Sequence, residues 1–338
     1  WFWAGAVAAQ PRGDVVQARP EGIALSRMQM ATDTATHPAE RKPYTVAESA
    51  WQDVPMPDRW RQSRPGYSGS VWYRAHVNFE SAPQAPWAGY LPRVIMHAEV
   101  WVNGVLVGST GRMDEPITRN WNTPLLFSTP GSSWQTGVNT LHIRVVGFGD
   151  AASGLAVPQL GRLDVLSQKF EKRRFWQNEF VYACNISVIA LGIYVLAIWL
   201  RKRERADYGY FSIGAILWGI ANFNMTVRQP FVSNAVWETT VFVCVVWALL
   251  ALCLFTLRFS DRAPRWLERS IWVYAAAFAA FLMLGEPLGA PQWGKFALFP
   301  VLMLGAWSMW QGAMFVRRTG TADYKLLGLV QVMTLFLG

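Results

Sequence analysis

Histidine is missing from the second half of the chain; its four copies are His37, His76, His97 and His142. That absence argues against b-type haem ligation in the hydrophobic half, because imidazole is the usual axial ligand. Cysteine is nearly as scarce. Cys184, Cys244 and Cys253 all lie in apolar segments, so the polar first half holds no disulfide. Their spacing fits no metal-ligand pattern, and they read as small apolar packing residues. Charge is the third shortage: 16% of the 338 residues are charged, against about a quarter in an ordinary soluble domain. No string of acidic or basic side chains crosses the centres of the hydrophobic runs, which argues against a proton pump or ion transporter.

Apolar residues make up 52% of the chain, and they are unevenly spread. Up to Arg174 the sequence is mixed, polar and rich in Pro and Gly; from Asn178 it is mostly apolar. A hydrocarbon core needs about 20 apolar residues in a helix. The candidates are Phe180–Leu200, Tyr208–Val227, Val236–Leu257, Leu267–Leu284, Phe296–Val316 and an incomplete sixth from Lys325 to Gly338. The net charge of +9 would suggest nucleic acid in a soluble protein. Here the basic residues flank the hydrophobic runs, where they set topology, and no nucleic-acid partner is expected.

Arg201, Lys202, Arg203 and Arg205 follow the first run, and Arg258, Arg262, Arg265 and Arg269 follow the third. Arg317, Arg318 and Lys325 separate the fifth from the sixth, whereas the alternate loops hold only Arg228 and Lys295. The basic loops are therefore expected on the cytoplasmic side, with the N-terminal region outside. Lys169, Lys172, Arg173 and Arg174 oppose that orientation. The opening Trp1-Phe2-Trp3-Ala4-Gly5-Ala6-Val7-Ala8-Ala9-Gln10 supports it, reading as the tail of a signal-peptide hydrophobic region. Both ends of the sequence are expected to lie inside longer segments. The division is then a signal-peptide remnant (1–10), an extension (11–43), an exported β-domain (44–166), a juxtamembrane linker (167–178) and a polytopic helical membrane bundle (179–338).

Polar residues inside lipid are candidates for function by default. Asn222, Asn224 and Arg228 fall near the outer end of the second run and Glu238 near the start of the third. An Arg228–Glu238 pair could clamp that end or floor a pocket; interfacial snorkelling is the plainer alternative.

The exported half alternates with period two. Val71, Tyr73, Ala75, Val77 and Phe79 interleave with Trp72, Arg74, His76 and Asn78; Val94–Val102 and Leu141, Ile143, Val145 repeat the pattern. Asn103-Gly104 suits the positive φ angles of a tight hairpin turn. His76, His97 and His142 occupy the outward class, where solvated histidines are commoner than a shared metal. Short strands between turn-rich loops imply a β-sandwich.

One ordered series is more specific. It comprises Trp51-x-x-Val54-Pro55-x-Pro57-Asp58-x-Trp60, Gly69-x-Val71-Trp72-Tyr73-Arg74, Val100-Trp101-Val102-Asn103-Gly104 with Val107-Gly108, and Gly137-x-Asn139-x-Leu141-x-Ile143-Arg144-Val145. Over residues 44–165 this resembles the sugar-binding jelly roll, a galactose-binding-like fold, of glycoside hydrolase family 2. With the helices behind it, and with Tyr208-Gly209-Tyr210-Phe211 and Leu257-Arg258-Phe259-Ser260, the chain resembles bacterial seven-transmembrane receptors with diverse intracellular signalling modules. That resemblance implies a periplasmic sensor in the inner membrane, multi-pass and homodimeric, serving a histidine kinase or, as the alternative, a diguanylate cyclase. A transporter with an exported accessory domain is the reading from a different class; the shortage of charge inside the helices counts against it.

No catalysis by the chain itself is expected. Glycoside hydrolysis needs two carboxyls across a cleft, and Glu99, Asp114 and Glu115 show no such spacing. A small or carbohydrate-like ligand is the expected partner, and no cofactor is expected. Sugar sites combine aromatic platforms with planar polar groups, a mixture offered by Arg119-Asn120-Trp121-Asn122, with Trp72, Arg74 and Trp101 able to share the surface. Structural packing of the strand tryptophans is the alternative. The basic stretch Gln168–Gln177 is expected to anchor at the membrane interface, the other possibility being a short helix that transmits strain.

Overall fold

The computed structural model describes residues 14–33, 43, 46–112, 116, 118–147, 153–260, 264–284 and 290–319. The signal-peptide remnant, Asp114, Glu115 and the sixth hydrophobic run lie outside these. The chain divides into two compact units. One is the chain up to Phe180 together with Thr226–Asn234; the other is Val181–Met225 together with the chain from Ala235.

Alternating apolar residues give the first unit its strands: β1 (Val15–Gln17), β2 (Ile23–Ala24), β3 (Arg27–Asp33), β4 (Gln52–Pro55) and β5 (Asp58–Arg59). After a single helical turn, α1 (Trp60–Ser63), come β6 (Gly69–Phe79), β7 (Trp87–Leu91), β8 (Val94–Ile95), β9 (His97–Val102) and β10 (Val105–Ser109). The last are β11 (Leu125–Thr129), β12 (Gly137–Gly147), β13 (Gly154–Leu155) and β14 (Gln159–Arg162). The main sheet runs β10-β9-β12-β6-β3-β4, with β1 parallel to β6; a second runs β11-β7-β14-β2 and a small third β5-β13-β8.

Val71, Tyr73, Ala75, Val77 and Phe79 of β6 share one core with Val100, Leu141 and Ile143 beside them. Trp87, Leu91, Leu125, Phe127 and Leu160 of the second sheet belong to the same core. Two sheets over one core make a two-layer sandwich. Asn103 (φ 49°) and Gly104 (φ 80°) turn β9 into β10, as the dipeptide predicts. The Asn103 side-chain oxygen also accepts the Thr140 backbone N–H at 2.9 Å, tying the turn to β12.

The other alternation class departs from expectation. Trp72, Arg74 and His76 do not face solvent: they are 0%, 6% and 6% exposed. The reason is position. β6 lies mid-sheet between β12 and β3, and Glu48 and Trp51 of the turn over 48–51 cover Arg74.

The motif residues Asp58, Trp60 and Tyr73 meet in a buried lock. The Tyr73 hydroxyl donates to Asp58 at 2.6 Å, the Trp60 indole donates to that hydroxyl at 2.8 Å, and Arg64 pairs with Asp58 at 2.8 Å. Burial, with the neighbouring Asp58 charge, pushes the Tyr73 phenol far up from its ordinary value.

After β14 the chain turns helical: α2 (Leu163–Arg174), a π-turn over Phe175–Glu179, and α3 (Phe180–Arg201). Then follow α4 (Ala206–Asn222), α5 (Asn234–Phe259), α6 (Arg265–Leu284) and α7 (Ala290–Thr319). Among the described residues three stretches are long and apolar enough to cross a membrane: Leu163–Arg201, Asn234–Phe259 and Leu298–Phe315. The other two expected runs with described residues form α4, only 17 residues long, and α6. In the second unit Val246, Leu250 and Leu254 of α5 pack with Ile271, Ala275 and Phe278 of α6 and with Val301 of α7. The buried Asn185 side chain of α3 donates to the Gly219 carbonyl of α4 at 2.9 Å. The Trp247 indole of α5 donates to the Ala275 carbonyl of α6 at 3.0 Å, and Arg258 pairs with Glu268.

Candidate functional site

Sheet register assembles a polar and aromatic face on the side of the main sheet away from the core. Trp101 of β9 pairs with His142 of β12, which pairs with Arg74 of β6, which pairs with Gln29 of β3. The next row is Glu99, Arg144, Trp72 and Ala31. The Trp72 ring lies 6.1 Å from Trp101 and 6.3 Å from His142. Trp72, Arg74 and Trp101, three of the residues expected to bind ligand, are therefore brought together.

Charges on this face are matched. Arg74 grips Glu48 at 2.7 and 3.0 Å and Gln29 at 3.1 and 2.9 Å, with Trp51 stacked 4.3 Å over its guanidinium. Arg144 lies 3.5 Å from Glu99, 3.9 Å from Asp33 and 5.5 Å from the Trp72 ring. Burial first, then the Arg74 guanidinium and any charge on His76, pushes His142 down to about 3, so its ring is neutral at ordinary pH. On this face four buried ring nitrogens meet no hydrogen-bond partner among the described residues: Trp72 Nε1, Trp101 Nε1, His76 Nε2 and His142 Nδ1. Such groups are rare in folded proteins. Aromatic rings with indole donors and imidazole nitrogens left unpaired, beside balanced charges, can hold a small polar molecule.

The three histidines do not converge. His76 stands opposite Thr140 and His142 opposite Arg74, one row apart, whereas His97 is opposite Val146 at the far end of the sheet. Among the described residues no group of three or more His, Cys, Asp or Glu is placed to hold a metal.

His97 instead anchors a second arrangement. Its Nδ1 lies 3.1 Å from Thr110 Oγ1 and its Nε2 3.3 Å from Ser109 Oγ. Thr110 Oγ1 already accepts from the Ala98 backbone N–H and from Asn120 Nδ2, each at 2.9 Å. A hydroxyl has one hydrogen and two lone pairs, so its own hydrogen goes to His97 Nδ1. That fixes His97 as the neutral Nε2–H tautomer, donating to Ser109. Burial and the nearby Arg144 hold it neutral, pushed down to about 4.

Asn120 is fully buried and extends the chain. Its Nδ2 also donates to the Met96 carbonyl at 3.0 Å, and its Oδ1 accepts from Arg228 Nε at 3.0 Å. Arg228 Nη2 donates to the Thr110 carbonyl at 3.1 Å, and the Arg228 carbonyl accepts the Arg119 backbone N–H at 2.8 Å. Two residues on, Asn122 Oδ1 accepts from Gln177 Nε2 at 2.9 Å, and its carbonyl accepts from Asn178 at 3.1 Å.

Within Arg119–Asn122, the side chains of Asn120 and Asn122 are thus bonded inside the protein. Trp121 packs on Ile95 and Met96, and its carbonyl accepts from Arg93 at 3.2 Å. It is joined to the sheet face by Thr110 and His97, not by direct contact with Trp72 or Trp101 in the bonds described. In the expected membrane cluster, Asn224 accepts from the Trp237 indole at 2.9 Å, Asn222 ends α4, Glu238 is exposed in α5, and Arg228 turns to Asn120. Thr110, Gln177 and Asn178 belong to the site without having been singled out from sequence. Isolated polar residues outside any motif carry no signal until folding supplies their partners.

No protein-family model matches the chain, and no curated protein matches it. Among solved structures it is similar to Faecalibacterium prausnitzii β-glucuronidase, with 18% identity and TM-score 0.29, over 37% of this chain and 21% of that one. It is also similar to a glycosyl hydrolase family 2 member from Bacteroides cellulosilyticus DSM 14838 (17%, TM-score 0.32, 42% and 20%). A third is a family 2 β-galacturonidase from Eisenbergiella tayi (20%, TM-score 0.30, 42% and 24%). The chain spans at most 24% of the length of these three structures.

Proposed function

We propose that the chain is the sensory part of a membrane receptor. Its jelly-roll β-domain lies on the periplasmic side of a bacterial inner membrane, and it serves a signalling module, most simply a histidine kinase. The ligand is a small polar, carbohydrate-like molecule taken up on the Trp72–Arg74–Trp101–His142 face. Arg74 and Arg144 are balanced by Glu48, Glu99 and Asp33, which favours a neutral ligand over a strongly charged one.

One observation carries the reading. The connection from β10 to β11 bonds both to Gln177 and Asn178, immediately before α3, and to Arg228, between α4 and α5. A ligand that shifts this connection acts on the residues just before α3 and on the segment joining α4 to α5. Coupling of that kind needs only a difference in ligand affinity between two states.

The test is a thermal-shift screen of the full chain in nanodiscs against neutral and acidic mono- and disaccharides, followed by hydrogen exchange on any hit. The reading expects a stabilising compound to change exchange at 175–179 and 226–234, and the Asn120→Ala variant to bind it without that change. Binding that leaves both segments unaltered in the unsubstituted chain would refute a sensory role and leave a plain carbohydrate-binding module.

A further inference from the structure

The side chains ahead of the apolar stretch of the first membrane-length helix form a surface of their own. Lys169, Lys172, Arg173 and Trp176 stand at i, i+3, i+4 and i+7, the spacing that places side chains on one helical face. All four are exposed, Trp176 at 57%. Phe175 and Phe180 are 46% exposed each, their rings 5.3 and 5.2 Å from Trp176. Opposite charge nearby is already engaged. Glu179 pairs with Arg174 at 2.9 Å and Asp164 with Arg162 at 2.7 Å, while Glu171 falls on the far side of the helix by its position in the turn. The contacts of Lys169 with Gln159 (3.4 Å) and of Arg173 with Gln177 (2.9 Å) and the Tyr90 hydroxyl are to neutral groups, so no carboxylate among the described residues compensates either charge.

The neighbouring face of α2 is accounted for. Leu166 is fully buried with Ala88 and Tyr90, and Leu163 and Phe170 pack beside them. The basic and aromatic residues lie outside that apolar cluster, although Lys169 reaches Gln159 of β14 and Arg173 the Tyr90 hydroxyl of β7. They sit within the continuous 39-residue helix Leu163–Arg201, directly ahead of its apolar stretch. The order along that helix is cations, then aromatic rings, then hydrocarbon-like residues, the order met on passing from a charged headgroup layer through the interface into a bilayer.

We propose that Lys169, Lys172 and Arg173, backed by Trp176 and Phe180, bind the phosphate headgroups of anionic phospholipid. The three cations are the electrostatic contact and the rings the interfacial wedge. The occupant is a lipid because the site continues into a membrane-length apolar helix. This also accounts for basic residues on both sides of the first span: Arg201, Lys202 and Arg203 follow it, and the α2 cluster is retained by lipid binding despite the topological bias. The inference rests on the helix standing in a bilayer and not on the sensory reading, since it is read without any ligand for the β-domain.

The test uses the full chain in zwitterionic detergent, titrated with phosphatidylglycerol or phosphatidylcholine and followed by native mass spectrometry. Wild type is expected to retain phosphatidylglycerol in preference, with retention falling as salt rises. The K169Q/K172Q/R173Q variant should bind it roughly a hundredfold more weakly, at about fivefold for each charge removed. An R201Q/K202Q/R203Q variant, which removes an equal charge beyond the span, controls for general electrostatics. Equal retention of the two lipids by wild type, or a loss confined to the Arg201–Arg203 variant, would overturn the proposal. Should the α2 variant elute as aggregate, the salt dependence of wild-type retention and a Trp176→Ala variant, expected to weaken both lipids alike, decide it.

Discussion

The Arg228 guanidinium donates its Nε hydrogen to the side-chain oxygen of Asn120 at 3.0 Å. The same Asn120 donates to Thr110, and Thr110 to His97, so four side chains from distant parts of the sequence form one directed row of hydrogen bonds. The direction is set by hydrogen counting: each group has one role left once its other partners are assigned. Rows of this kind are sensitive to loss of any member, because the buried neighbours cannot turn to water.

Asn120→Ala is therefore expected to destabilise the first unit by about 1–3 kcal/mol, the usual consequence of leaving buried polar groups unsatisfied. The Met96 carbonyl and Thr110 lose a donor, and Arg228 Nε loses its acceptor. Thermal unfolding of the full chain in detergent should show a lower midpoint, and hydrogen exchange should rise at Arg119 and Arg228. An unchanged midpoint would mean that the row is incidental.

Acid should weaken the same unit in a predictable window. Unfolded histidine binds a proton near pH 6.5, but folded His97 and His142 are pushed down to about 4 and about 3. Their contribution is complete above about pH 6.5 and falls as pH drops toward those folded values, by roughly 1.4 kcal/mol per pH unit for each. Protonated His97 would also turn an N–H on Nδ1 toward Thr110, which already accepts two hydrogens. Guanidinium midpoints measured at pH 7 and pH 5 should differ, and a His97→Gln, His142→Gln double variant should show a smaller difference. Parallel pH dependence in the two proteins would count against neutral buried histidines.

The strands were legible because they alternate: Val71 to Phe79 and Leu141 to Val145 point their odd residues into the core, and Asn103-Gly104 announces its turn by needing positive φ. The long apolar helices were legible by length. What alternation cannot report is whether the second face of a strand is wet. Arg74 became buried because a turn over 48–51, distant in sequence, lies across it, and Trp72 because Trp101 and His142 of neighbouring strands pack against its ring. The expected binding loop met the same limit. Arg119 to Asn122 has the composition of a ligand site, but its hydrogen bonds go to Arg228, Gln177 and Asn178, and nothing local in the sequence specifies those partners.

Tyr73→Phe removes only the hydroxyl that links Trp60 to Asp58. The indole N–H and one carboxylate oxygen then lose a buried partner, while the ring still fills its place. A loss of about 1–3 kcal/mol is expected, far less than the 3–5 kcal/mol typical of deleting a whole aromatic side chain. Urea midpoints for Tyr73→Phe and Tyr73→Ala should separate in that order; equal losses would show that the hydroxyl, not the packing, dominates.

Trp51→Ala tests the cover of the polar face, and its two effects have opposite signs. Trp51 stacks 4.3 Å over Arg74 and lies 5.8 Å from His142. Removing it forfeits a cation–π contact, worth about 0.5–2 kcal/mol, so the protein should be less stable at pH 7. Water then reaches His142, whose low proton affinity comes first from burial. Its folded pKa should rise toward 6.5, which narrows the gap to the unfolded chain and flattens the fall in stability with acid. The variant is thus expected to start lower at pH 7 and to lose less between pH 6.5 and pH 5 than wild type. If instead its acid loss is as steep as that of wild type, His142 is desolvated by the sheet alone, and the turn at Glu48–Trp51 is no lid over the face.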